Sequence, residues 1–151
     1  MRFIVDSMLG KLAKWLRILG HDTHYQSYYS PGTIGRLVEE NRRLVSRRKA
    51  AVDLYEDALL IKSDHVGDQL KEVNHEIPLF LGSSHIFSRC IICNFLLEDA
   101  GLEVAEENIP DYVFYEHTRG IRFCPSCKRY YWQGSHRERV VRQLQAWELF
   151  R

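Results

Sequence analysis

The apolar positions at the start of the chain change their period within a dozen residues. Phe3, Ile4 and Val5 form an unbroken apolar run, whereas Leu9, Leu12, Ala13, Leu16 and Leu19 recur at three- and four-residue spacing with Lys11, Lys14 and Arg17 between them. The first pattern predicts a buried strand over residues 2–5 and the second an amphipathic helix, with Asp6-Ser7 as its N-cap and Gly20 at its end. Residues 24–29 are rich in aromatics and read as a second strand, broken by Ser30-Pro31-Gly32. Residues 33–41 read as a helix, with Ile34, Leu37 and Val38 on one side, and residues 43–46 as a third strand. Beyond them, residues 50–54 read as helix, 58–61 as a fourth buried strand, 65–74 as helix and 78–81 as an extended segment. Strands alternating with helices at this spacing predict an α/β fold with a parallel sheet and right-handed crossovers.

Around Gly82-Ser83-Ser84 the alternation stops, and the cysteines organise the remainder of the chain. The expected domains are therefore an α/β domain over residues 1–84 and a small module with a C-terminal helix over residues 85–151. Cys90 and Cys93 flank Ile91-Ile92, Cys124 and Cys127 flank Pro125-Ser126, and 30 residues separate the two pairs. Each C-x-x-C pair can form a tight knuckle, and two knuckles supply the four tetrahedral ligands of one closed, structural Zn²⁺ site in a zinc ribbon. Two disulfides, or a thioredoxin-like redox pair, are the competing readings. A module this small has little core, so metal binding would carry much of its folding.

Composition adds that 45% of residues are hydrophobic and 27% charged, as in a folded globular protein. Asp6 interrupts the apolar start too early for a signal peptide, and no run approaches the roughly 18 apolar residues of a membrane span. The expectation is a cytoplasmic protein without a membrane partner, in which reducing conditions favour thiolate ligands over disulfides. Formal net charge is only +1. It is unevenly spread: residues 98–116 hold seven acids and no Lys or Arg, whereas residues 119–151 hold eight basic residues against two acids. Anionic partners would be drawn to that end.

Asp6 closes the first strand, at the carboxyl edge where open α/β sheets build their sites. Carboxylates converging there could hold Mg²⁺ or Mn²⁺ and activate water for phosphodiester cleavage, but the chemistry takes several acids. Asp64 is the acid expected after the fourth strand, and Arg47 and Arg48 stand after the third. That mixture suits a bound phosphate better than a divalent cation, although Arg47-Arg48-Lys49 also reads as a solvated helix start. The segment Lys128-Arg129-Tyr130-Tyr131-Trp132 has strand character and sets basic beside aromatic residues, which could contact phosphate and stack on bases, or could pack the small module. His65, His117 and His136 are candidate general acids or extra ligands, or plain surface residues. In the tail, Val140, Val141, Leu144, Trp147 and Leu149 could form an apolar helical stripe for a protein partner or for the chain's own core.

The segments FIVDSMLGKLAKWLRILGHDT and IPDYVFYEHTRGIRFCPSCKRYYWQGSHRERV, together with both cysteine pairs, resemble the Mut-seven C-terminal RNase family. The most specific stretches are Met8 to Arg17 and the Cys124-Pro125-Ser126-Cys127 knuckle followed by Tyr131 to His136. The resemblance implies a PIN-like three-layer domain with a mainly parallel sheet, followed by a zinc ribbon, and a metal-dependent ribonuclease using acids at strand ends. Asp6 maps to the first of those acids and Asp64 to a later one. Where relatives carry an acidic cluster before the second helix this chain has Ser30-Pro31-Gly32, and where they read threonine-arginine-aspartate it has Ser46-Arg47-Arg48. The expected function is therefore an RNA-binding protein of this family with weakened or lost nuclease activity, Lys11, Arg47, Arg48, Lys128, Arg129, Tyr131, Trp132 and His136 being its candidate RNA contacts. Its alternatives are an active endoribonuclease with substitute acids among Glu39, Glu40, Asp53, Glu56 and Asp57, and a protein-interaction module.

Overall fold

The computed structural model describes residues 1–79, 83–117 and 120–150, and the chain divides into two compact units, Met1–Asn94 and Phe95–Arg151. Phe80 and Leu81 of the expected extended segment, and Gly82 at the expected boundary, lie outside the described residues.

Four strands form a parallel sheet in the first unit. β1 (Arg2–Val5), β2 (Asp22–Tyr25), β3 (Arg43–Ser46) and β4 (Leu59–Leu60) lie in the order β2-β1-β3-β4, with Ile4 opposite His24 on one side and Leu44 on the other. Phe3, Ile4 and Val5 are fully buried, because the strand is covered on both faces; hence its apolar run does not alternate. Helix α1 (Gly10–Ile18) connects β1 to β2, α2 (Thr33–Glu39) connects β2 to β3, α3 (Lys49–Val52) connects β3 to β4, and α4 (Val66–Glu76) comes after β4. α1 packs on β2 and α4, α2 on β1 and β3, and α3 on β3 and β4. The chain leaves β1 toward β2 but leaves β3 in the opposite direction, so right-handed crossovers put α1 on one face and α2 with α3 on the other. Leu12 and Leu16 of α1 are completely buried, each contributing roughly 2 kcal/mol by removal from water. Ile4, Leu37 and Leu44 centre the core of the other face.

Two local expectations change. Residues 7–9 form a 3₁₀ turn ahead of α1, and Asp6 makes no side-chain capping bond to it, because its carboxylate is engaged elsewhere. β2 starts and ends earlier than its aromatic content suggested, since residues beyond Tyr25 leave the sheet and bring the Tyr29 hydroxyl onto the Val5 carbonyl, 2.8 Å away.

In the second unit β5 (Glu98–Asp99), β6 (Arg122–Phe123) and β7 (Tyr130–Tyr131) form an antiparallel sheet in that order. The acidic stretch, notable in the sequence for its charge alone, folds as α5 (Leu102–Asn108) and α6 (Asp111–Glu116). Ala105, Ile109 and Val113, four residues apart, turn inward with Ile121 to form its core. Helix α7 (Ser135–Ala146) carries Val140, Val141 and Leu144 of the expected stripe, with Val140 and Leu144 buried and Val141 half-buried; Trp147 and Leu149, also half-buried, lie beyond the helix end. Among the described residues no helix is long and apolar enough to cross a membrane.

Candidate functional site

The connections that leave β1 and β3 in opposite directions open a crevice between the carboxyl ends of these neighbouring strands, where α/β folds bind ligands. Asp6 sits in that crevice, 1% exposed. Its backbone N–H continues the ladder to the Val45 carbonyl at 3.0 Å, which fixes the side chain against the end of β3. There the Ser46 hydroxyl donates to Asp6 Oδ2 at 2.5 Å and Arg48 Nε donates to the same oxygen at 2.8 Å. Ser46 Oγ also accepts the Arg48 N–H at 3.0 Å, so serine, arginine and aspartate form one closed network. The Ser7 hydroxyl donates to Asp6 Oδ1 at 3.2 Å. Burial alone would raise the Asp6 pKa, but the hydrogen bonds from Ser46 and Arg48 and the guanidinium charge outweigh it and hold the carboxyl below its ordinary value. Asp6 is thus a carboxylate whose charge is already balanced.

Asp64, the second candidate acid, is largely exposed and pairs with Arg47, Nη2 to Oδ1 at 2.6 Å. Its loop is held by Glu72 of α4, whose carboxylate accepts the N–H groups of Lys62 and Ser63 at 2.9 and 2.8 Å. Each candidate acid therefore faces an arginine from the end of β3. The substitute acids do not repair this. Glu39 and Glu40 end α2 and Glu56 and Asp57 precede β4, so they lie at the sheet edge where these strands begin, roughly 13 Å from where β1 ends. Asp53 is paired with Lys49 at 2.7 Å. Two tyrosines further close the crevice: Tyr29 OH donates to the Val5 carbonyl, with burial pushing its pKa up to about 12, and Tyr25 OH donates to the Ser7 carbonyl at 2.9 Å.

Among the described residues, one group of three or more His, Cys, Asp or Glu side chains is placed to hold a metal ion, and it consists of Cys90, Cys93, Cys124 and Cys127. Their sulfurs all lie within 4.8 Å of one another. The two knuckles close alike. The Asn94 N–H donates to the Cys90 carbonyl at 3.0 Å and the Lys128 N–H to the Cys124 carbonyl at 2.9 Å, with φ of 71° at Asn94 and 62° at Lys128. Four converging thiolates fit a closed tetrahedral site for an ion such as zinc and leave no coordination position for catalysis. The donor set around Asp6, one carboxylate neutralised by Arg48, does not fit Mg²⁺ or Mn²⁺, which need several oxygen ligands and an anionic field.

The candidate RNA contacts divide between the units. Lys11 is exposed on α1, one turn beyond Asp6 in the chain, and the Arg48 side chain is about half exposed. In the second unit Lys128, Arg129, Trp132 and His136 are exposed and Tyr131 is half-buried. Lys128 Nζ lies 5.8 Å from the centre of the Phe123 ring, a cation–π arrangement.

The family model of the Mut7-C RNAse domain matches residues 1–144, nearly the whole chain. The chain belongs to the Mut7-C RNase domain family. No curated protein and no solved structure matches it. Membership in the Mut7-C family gives the chain a nuclease-like or RNA-related function. Sequence reasoning gave no role to Ser46, Tyr29, Arg17 or Asn94. Ser46 has the clearest signal of the four, a small hydroxyl residue at a strand end next to two arginines; Arg17 had the opposite signal, being spaced like its solvated neighbours Lys11 and Lys14 although it is 7% exposed.

Proposed function

We propose that this protein is an RNA-binding member of the Mut7-C RNase family whose strand-edge nuclease centre is weakened or lost. The observation that carries this reading is the contact of Arg48 and Ser46 with the single buried carboxylate of the crevice, Asp6. A nuclease of this type needs a negative field that gathers a divalent cation and its water; here the field is cancelled at Asp6 and again at Asp64. The same arginines and Lys11 suit the phosphate backbone of RNA, and Arg129 and Trp132 add a basic and an aromatic contact in the second unit. The bound structural ion is zinc, held by thiolates that the reducing cytoplasm keeps available. An active endoribonuclease recruiting other acids lacks a structural candidate, since the acids named for it stand at the far edge of the sheet or in their own ion pairs.

Fluorescence anisotropy with a labelled single-stranded RNA tests the binding. Affinity should fall linearly with salt on a logarithmic scale, and Arg129→Ala and Lys11→Ala should each weaken binding and reduce the slope by about 0.7, as expected for one lost phosphate contact. Salt-independent binding, or slopes unchanged in both variants, would show that these residues do not face RNA.

A further inference from the structure

The first metal knuckle is fastened to the α/β unit by one buried arginine. Arg17 lies on the third turn of α1, and its guanidinium bonds three backbone carbonyls. Nε donates to Thr23 O at 3.0 Å, and Nη1 donates to Ile91 O at 3.1 Å and to Ile92 O at 2.8 Å. Ile91 and Ile92 are the two residues inside the Cys90–Cys93 pair, so Arg17 grips the backbone that sets the direction of both sulfurs. Asn94 completes the attachment on the other side of the knuckle: its Oδ1 accepts the Thr23 N–H at 2.9 Å and its Nδ2 donates to Asp22 Oδ1 at 2.8 Å. Arg89 adds bonds to the carbonyls of Gly20 and Asn94 at 3.1 and 2.9 Å.

Charge gives Arg17 a second role. A buried guanidinium is costly unless a negative group balances it, and among the described residues no carboxylate pairs with Arg17. Four thiolates around a divalent ion carry a net charge of −2, and two of those thiolates flank the carbonyls that Arg17 holds. We propose that Arg17 is a positioning residue of the metal centre, orienting the Cys90–Cys93 knuckle through the Ile91 and Ile92 carbonyls and offsetting the surplus negative charge of the thiolates. The inference rests on the reading that the cysteines hold zinc. Outer partners of this kind typically change metal affinity about 10- to 100-fold when removed.

The test is zinc retention by the full-length protein against a chromophoric chelator, with the visible spectrum of the Co²⁺-loaded protein and the urea midpoint measured with and without chelator. Arg17→Met should release zinc about 10- to 100-fold more readily and alter the Co²⁺ bands. Arg17→Lys, which keeps the charge and loses the fork, should fall between it and the wild type. The midpoint should drop more in the zinc-loaded protein than in the stripped one, because a group that strengthens metal binding is itself strengthened by the metal. Should Arg17→Met fail to fold, Arg17→Lys carries the same comparison. Equal zinc release by wild type and variants, with equal loss of midpoint in loaded and stripped protein, would make Arg17 a packing residue and overturn the proposal. Wild-type protein that takes up neither zinc nor cobalt would instead overturn the metal reading beneath it.

Discussion

Asp6 and His21 are both almost completely buried, and they meet the cost of burial in opposite ways. Asp6 keeps its charge because Ser46 and Arg48 stabilise it. His21 is held neutral: Nε2 bonds the Leu79 carbonyl at 2.7 Å, Nδ1 is buried with no hydrogen-bond partner among the described residues, and the ring stands edge-on to Phe3. Burial pulls its pKa below the ordinary value, only partly opposed by the Leu79 bond, and His24 shifts the same way through burial and the nearby Arg42 charge. Protons therefore bind the unfolded chain more readily. The stability held in these histidines is complete above about pH 6.5 and is lost as pH falls from there through their lowered native values. Asp6 and Asp22 add a second loss at lower pH, below about 3.9, where their depressed native values are reached. Urea midpoints should fall between pH 7.5 and 5, and His21→Gln should flatten that fall; a wild-type midpoint constant over this range would contradict a neutral, buried His21. The position of Asp6 was legible because it ends the unbroken apolar run of β1. Ser46 was not, because nothing in a lone serine shows that a neighbouring strand will deliver a carboxylate to it.

Strands and helices of the first unit follow the sequence closely where the apolar pattern is plain, as in the unbroken runs of β1 and β3 and the periodic face of α1, and drift where a few aromatics had to decide. β2 is set by its pairing with β1 rather than by the composition of residues 24–29, and α5 and α6 were hidden because each is short and rich in acids. The end of α1 was readable in detail. Gly20 has φ of 93°, its N–H bonds the Arg17 carbonyl and the His21 N–H bonds the Leu16 carbonyl, both at 2.9 Å, which is the paired closure that glycine permits. A Cβ there would lie 2.5 Å from the His85 carbonyl oxygen. Gly20→Ala should therefore lower unfolding free energy by roughly 1–3 kcal/mol. Gly101→Ala is the natural comparison, with φ of −63° and no described atom within 4 Å of an added Cβ, and should stay within about 0.5 kcal/mol of wild type. Similar losses in the two variants would show that the αL turn is not what constrains Gly20.

At the scale of the molecule, the chain belongs to the Mut7-C RNase domain family, and the proposed loss of its nuclease centre rests on the charges at one edge of the sheet. The parallel sheet brings the end of β1 beside the end of β3, and the four cysteines meet. A position at the end of β3 holds a guanidinium against the carboxylate, and the crevice carries a salt bridge where a cation would need an open cluster of acids. Sequence shows two arginines after β3, but only the fold shows that Arg48 reaches Asp6, the one buried carboxylate among the described residues, and that Arg47 pairs with Asp64. Cleavage of single-stranded and structured RNA in Mn²⁺, measured for wild type beside Asp6→Ala, tests this most directly. Wild type should cleave no faster than Asp6→Ala; robust cleavage abolished by the substitution would contradict a nuclease centre cancelled by Arg48.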